Sequence, residues 1–192
     1  MKKIHGFDLV HDSQKMFRLI LRAMSNPLKI VNINEYSEKL FGNNKIFLAL
    51  AMTLLDNEVS FNTCENRELS EEIVSLTLSK RESRENADFI FINDKKDLKE
   101  VIESSKCGTL IDPHKSATIV VKITDNKETK LKLSGAGINY FIEILTDATV
   151  KEAIEFRDNM FFEYPQGLDF IFACENGDLF SIPRLTKSEV VE

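Results

Sequence analysis

Ser134-Gly135-Ala136-Gly137-Ile138 is the one loop of this chain built on paired glycines. Glycines at that spacing let successive backbone N–H groups line one concavity, which suits a phosphate or a similar anion. The stretch lacks the lysine that follows a P-loop and the third glycine of a dinucleotide-binding fingerprint. Two roles are open to it: an anion nest, or a tight turn after a hairpin. Arg18, Arg157 and Arg184 are candidate clamps for such an anion, because guanidinium meets phosphate oxygens two at a time. Arg184 follows Pro183 at a strand end, where α/β proteins place ligands. Asp169 interrupts the apolar run Leu168-Asp169-Phe170-Ile171-Phe172, and a carboxylate there must be paired or hydrogen-bonded. It either fixes the Pro165–Gly167 turn, through N–H groups or an arginine, or it touches a ligand. Asn159 is given a similar turn-fixing role. Arg18, Gly135, Gly137, Arg157, Asn159, Asp169 and Arg184 together form the candidate ligand cleft, for a phosphorylated small molecule.

A nucleophile is harder to find. Cys107 precedes Gly108 and Thr109 in a loop, with no histidine near it in sequence to activate it. His5, His11 and His114 stand apart, and no HxH, HxxxH or CxxC spacing supports a metal. Lys122, Lys130 and Lys132 read as the solvated face of a hairpin. No catalytic residue, metal set or cofactor is assigned.

The elements that must position these groups follow from periodicity. His11–Ser25 is an amphipathic helix with Phe17, Ile20, Leu21 and Met24 on its apolar face, Asp12 at its N-cap and Asn26-Pro27 at its end. Lys29–Ile33 and Glu58–Thr63 are short strand candidates. Lys45–Leu55, capped by Asn43 or Asn44, is apolar nearly all round and belongs inside. Leu69–Ser79 is a helix capped by Ser70, Ala87–Ile92 a buried strand, and Asp94–Ser104 another helix. Ser116–Thr124 and Lys130–Ser134 alternate and are expected to pair as an antiparallel hairpin. A last helix runs from Thr146 or Asp147 to about Phe161. A Pro/Gly turn then leads to the strand Leu168–Cys174, which the Asn176-Gly177 turn folds back toward Pro183.

Helices and strands in this order give a mixed sheet covered by helices, in one α/β domain over residues 1–192. The formal charge of -6 argues against broad nucleic-acid binding. The longest apolar run, Ile46–Leu55, is too short to span a membrane. Three scattered cysteines suit reduced thiols, and the expected location is the cytoplasm.

Several stretches, in order, resemble the H-subunit family of the bacterial carbon–phosphorus lyase system (PhnH). They include Gly6-Phe7, His11–Arg18, Ala23-Met24-Ser25-Asn26-Pro27, Leu54-Leu55-Asp56 and Ala87-Asp88-Phe89. Gly108-Thr109-Leu110, Asp112–Thr118 and Leu133–Ile138 follow, and then Arg157-Asp158-Asn159, Pro165–Asp169 and Pro183-Arg184-Leu185-Thr186. Leu28 and Gln166 depart from the pattern, standing where the family often has glycine and a basic residue. The resemblance implies a three-layer fold like the large domain of pyridoxal-phosphate-dependent transferases, without that cofactor. It also implies a homodimer that joins a core complex with the G, I and J subunits. In that system the G, H, I and L subunits displace adenine from ATP by an alkylphosphonate, giving ribose 1-phosphonate 5-triphosphate. The J subunit, an iron–sulfur radical enzyme, later cleaves the C–P bond.

Overall fold

The structure, a computed structural model, describes residues 6–190. In chain order its elements are α1 (His11–Ser25), β1 (Val31–Asn32), α2 (Asn34–Ser37), α3 (Lys45–Leu54), β2 (Ser60–Asn62), α4 (Arg67–Thr77), β3 (Lys80–Arg81) and β4 (Phe89–Ile92). Then come α5 (Leu98–Ser104), β5 (Thr118–Ile123), β6 (Thr129–Gly135), β7 (Ile142–Thr146), α6 (Ala148–Asp158), β8 (Asp169–Cys174), β9 (Asp178–Ile182) and β10 (Thr186–Val190).

Seven strands form one mixed sheet in the order β1-β9-β8-β5-β4-β2-β3. β3, β2, β4, β5 and β8 run parallel, while β9 returns antiparallel beside β8 and pairs with β1. Every residue of β8 is buried, as a central strand covered on both faces requires. Successive side chains therefore feed two separate cores. Phe91, Val120 and Ile171 face α1, α3 and α4 through Met16, Ile20, Leu48 and Ile73. Ile90, Ile119 and Phe170 face α5 and α6 through Val101, Ile102, Ala153 and Ile154. The second core also takes Leu131 and Leu133 from a smaller three-stranded sheet, ordered β10-β6-β7.

That smaller sheet corrects the expected hairpin. Ser116–Thr124 and Lys130–Ser134 do not pair with each other: β5 lies between β4 and β8, parallel to both, and β6 pairs antiparallel with β7 and β10. Alternation identified both as strands, but partners come from burial, and β5 is apolar on both faces.

Smaller corrections concern caps and faces. α1 turns Met16, Ile20 and Ala23 inward and leaves Phe17 and Leu21 about half exposed. Asp12 does not cap it; the Asp8 carboxylate accepts from the N–H groups of Val10 and His11, and Asp12 is buried against Lys39 at 2.7 Å. Asn66, not Ser70, caps α4 by accepting from the Leu69 N–H. α6 stops at Asp158, short of Phe161, and its cap is Asp147 as expected.

Candidate functional site

The parallel strands give the large sheet two unlike edges, and four of the residues singled out in the sequence, Gly135, Arg157, Asp169 and Arg184, gather at the edge where β4, β5 and β8 begin. Asp169 opens β8. Its carboxylate accepts from the Arg184 backbone N–H at 2.8 Å and from Arg184 Nε at 3.0 Å, and it forms an ion pair with the same guanidinium. Arg184 also donates to the Pro113 carbonyl. Asp169 is thus hydrogen-bonded and paired with an arginine, but what it ties is the 183–186 corner and not the Pro165–Gly167 turn. Arg157 is buried; it donates to Asp158 Oδ1 at 2.9 and 3.0 Å, to the Thr186 carbonyl at 2.6 Å and to the Pro183 carbonyl at 3.3 Å. It lies 5.9 Å from the centre of the Phe170 ring. Nε and both terminal nitrogens of each arginine are engaged by protein oxygens.

Gly135 closes β6 opposite Thr186, where an added Cβ would come within 2.6 Å of the Leu185 carbonyl oxygen. At Gly137, with φ +82°, it would stand 3.0 Å from Pro27 Cδ and 3.2 Å from the Ser25 carbonyl oxygen. Ile138 N–H returns to the Gly135 carbonyl, which is the tight-turn form of this loop. Gly135, Arg157, Asp169 and Arg184 therefore meet around the corner 183–186. Gly137 touches the end of α1 instead. Arg18 is exposed on α1 and Asn159 is the exposed C-cap of α6, and neither bonds to this cluster.

The same edge is knitted further by Asp88, just ahead of β4. It accepts from the Ser60 N–H at 2.7 Å and from Lys106 Nζ at 2.5 Å. Burial opposes its ionisation, yet the Lys106 ammonium and the Ser60 donors hold its carboxyl below the ordinary value.

The thiols are quiet. Burial pushes Cys107 up, with Arg184 opposing, and its Sγ lies 3.2 Å from the Ser105 carbonyl. Burial likewise pushes Cys64 up to about 12 and Cys174 to about 11. His11 and His114 are exposed, and His5 falls outside the described residues. Among the described residues no three His, Cys, Asp or Glu side chains gather as a metal would need.

At the opposite edge, beyond the carboxyl ends of β4, β5 and β8, two adjoining cavities of about 510 and 600 Å³ share Asn93, Lys122, Cys174 and Glu175. One runs under the start of α3, past Asn44, Lys45 and Phe47; the other reaches Thr124 and the start of α6 at Thr149. Ligand sites in open α/β sheets favour such crevices. Lys122 had been placed on a solvated hairpin face. It lies instead on the core side of β5, in line with Val120, and pairs with Glu175 at 2.6 Å. The signal was available: a single lysine interrupts Ile119-Val120-Val121-Lys122-Ile123.

A helix-covered mixed sheet with a second small sheet, an internally tied edge and an open edge define an α/β domain. The family model for PhnH, described as bacterial phosphonate metabolism protein, matches residues 5–189, and the chain belongs to that family. No curated protein matches it. Membership gives the chain a part in bacterial phosphonate metabolism. The two departures from the family pattern now have a physical setting. Leu28 has φ +66°, in the left-handed region that favours glycine, and its side chain is buried in the second core. Gln166 donates to the Gly108 carbonyl at 3.0 Å, across the turn. No helix among the described residues is long and apolar enough to cross a membrane.

Proposed function

We propose that this chain is a subunit of the carbon–phosphorus lyase core assembly. As a homodimer in the cytoplasm, it joins the G, I and J subunits and supports displacement of adenine from ATP by an alkylphosphonate. The observation that carries this is the family match over residues 5–189. A supporting one is the apolar surface left outside: Ile111 and Phe161 are each 90% exposed, and Tyr140, Tyr164, Phe17 and Leu21 are also uncovered. Of these, Phe17 and Leu21 lie one helical turn apart on α1 and form a contiguous apolar pair, which association would cover. The internal engagement of Arg157 and Arg184 favours a supporting role over chemistry carried by those two residues.

Co-expression with the G, I and J subunits and affinity capture through this chain tests the reading. Recovery of at least one of them, with a dimeric mass by light scattering for the isolated chain, is the expected result. A monomer that captures none of them overturns it. The large sheet is also read as kin to that of the pyridoxal-phosphate transferases without their cofactor. Titration with pyridoxal phosphate should leave the cofactor's spectrum unshifted, and a Schiff-base band would contradict that kinship in its cofactor-free form.

A further inference from the structure

The register of the large sheet places a change of chemistry on one face. Phe91, Val120 and Ile171 lie side by side across β4, β5 and β8, all buried in the first core. Two residues further along, the same face presents Asn93, Lys122 and Ala173. The apolar layer stops at Phe47, whose ring meets Phe91 edge-on at 5.5 Å, and the cavity of about 510 Å³ opens beyond it. A lysine whose stem rises from an otherwise apolar strand face, beside an alanine that leaves room above it, forms a floor and not a solvated surface.

We propose that this crevice binds a small organic phosphate. Its anionic group would lie between the ammonium groups of Lys122 and Lys45, and its polar body against Asn93 and Asn44. The charge is available because the carboxylates that pair with these lysines, Glu175 and Glu38, line the same crevice and are exposed, so that a ligand can displace them. Lys122 pairs with Glu175, whose side chain is 78% exposed, and Lys45 pairs with Glu38 at 3.0 Å, 58% exposed. Such surface pairs contribute little and open readily. Two ammonium groups offer several donors to one group of oxygens, which matches a three-oxygen dianion better than a single carboxylate. The first N–H groups of α3 add to this, since Asn44 makes no side-chain cap bond there, whereas the Asp147 carboxylate accepts from the Thr149 N–H of α6. The volume exceeds that of a bare anion, so the anion is carried on a body. Amide walls at Asn43, Asn44 and Asn93 favour a hydroxylated body over an aromatic one. The inference concerns the isolated chain and holds or fails independently of the subunit reading.

Amide-resolved NMR titration of the full chain tests it, with ribose 5-phosphate as the probe, inorganic phosphate as the anion alone and ribose as the body alone. Ribose 5-phosphate should move the amides of Lys45, Ile46, Phe47 and Asn93 at millimolar concentration or below. Inorganic phosphate should move the same amides at higher concentration, and ribose none. Lys122→Met should weaken ribose 5-phosphate about tenfold or more, the effect expected for one charge-assisted hydrogen bond. Lys45→Gln, which leaves β5 untouched, should weaken it in the same direction. Absence of shifts at these amides, shifts centred on Ser134–Ile138, or affinity unchanged in both variants would overturn the site. Equal affinity for inorganic phosphate would overturn the claim that the crevice reads an organic body.

Discussion

The two edges of the large sheet are built from the same residue types and put them to opposite use. Where β4, β5 and β8 begin, charged groups bind one another: Asp169 with Arg184, Arg157 with the carbonyls of Pro183 and Thr186, Asp88 with Lys106 and Ser60. Where the same strands end, Lys122 and Lys45 meet carboxylates that stand in water. A pair with a buried member is expensive to break, because the survivor stays out of water without its partner. A pair with an exposed member gives way to a competitor. Charge held inside at one edge therefore serves the fold, and charge held loosely at the other is available to a ligand.

Substitutions at the two edges should separate these uses. The largest effect is expected from Asp169→Ala, which strands the half-buried Arg184 guanidinium; urea unfolding should show a loss of about 3 kcal/mol. A loss below about 0.5 kcal/mol, the scale of a surface pair, would erase the distinction. Asp147→Asn keeps an oxygen for the Thr149 N–H but turns the one that accepts from Thr124 into an amide donor, and should cost about 1–2 kcal/mol. Burial opposes ionisation of Asp147, but donors from Thr124 and Thr149 hold its carboxyl below the ordinary aspartate value of 3.8. Its contribution is thus fully present above that value and fades as pH falls through the lower folded one. Wild type should lose stability over that acid interval and Asp147→Asn should lose less; parallel acid limbs would contradict the assignment. The smallest effect belongs to Lys122→Met. Its unfolding free energy should stay within about 0.5 kcal/mol of wild type, because Glu175 is exposed. A large loss would make Lys122 a structural residue and collapse the contrast.

What the sequence disclosed tracks how local each feature is. The β8–β9 hairpin was legible because Asn176-Gly177 is a turn signal that acts within a few residues. α3 was legible because it is apolar all round. α1 was legible as a helix but not in its orientation: Phe17/Leu21 and Met16/Ile20/Ala23 are both apolar stripes, and only tertiary packing chooses between them. The pairing of β5 with β4 and β8 is set by residues far apart in the chain, so the short polar link from β5 to β6 imitated a hairpin. That error hid Lys122, since a solvated hairpin gives a lysine nothing to explain. Four of the seven residues grouped in the sequence, Gly135, Arg157, Asp169 and Arg184, do meet, and only Asp169 carried a physical signal of needing a partner, as an acid in an apolar run. Its internal engagement is geometry, which residue types do not carry.

The order of the strands has a consequence for the growing chain. β8, which pairs with both β5 and β9, spans Asp169–Cys174, and β1 has only β9, at Asp178–Ile182, to pair with. On the ribosome, the earlier strands must wait with β5 unzipped along one side and β1 without a mate until Asp169–Ile182 has been made. Until then the nascent polypeptide offers an unsatisfied apolar ribbon, and a premature stop before Asp169 yields two halves of a sheet with nothing to join them.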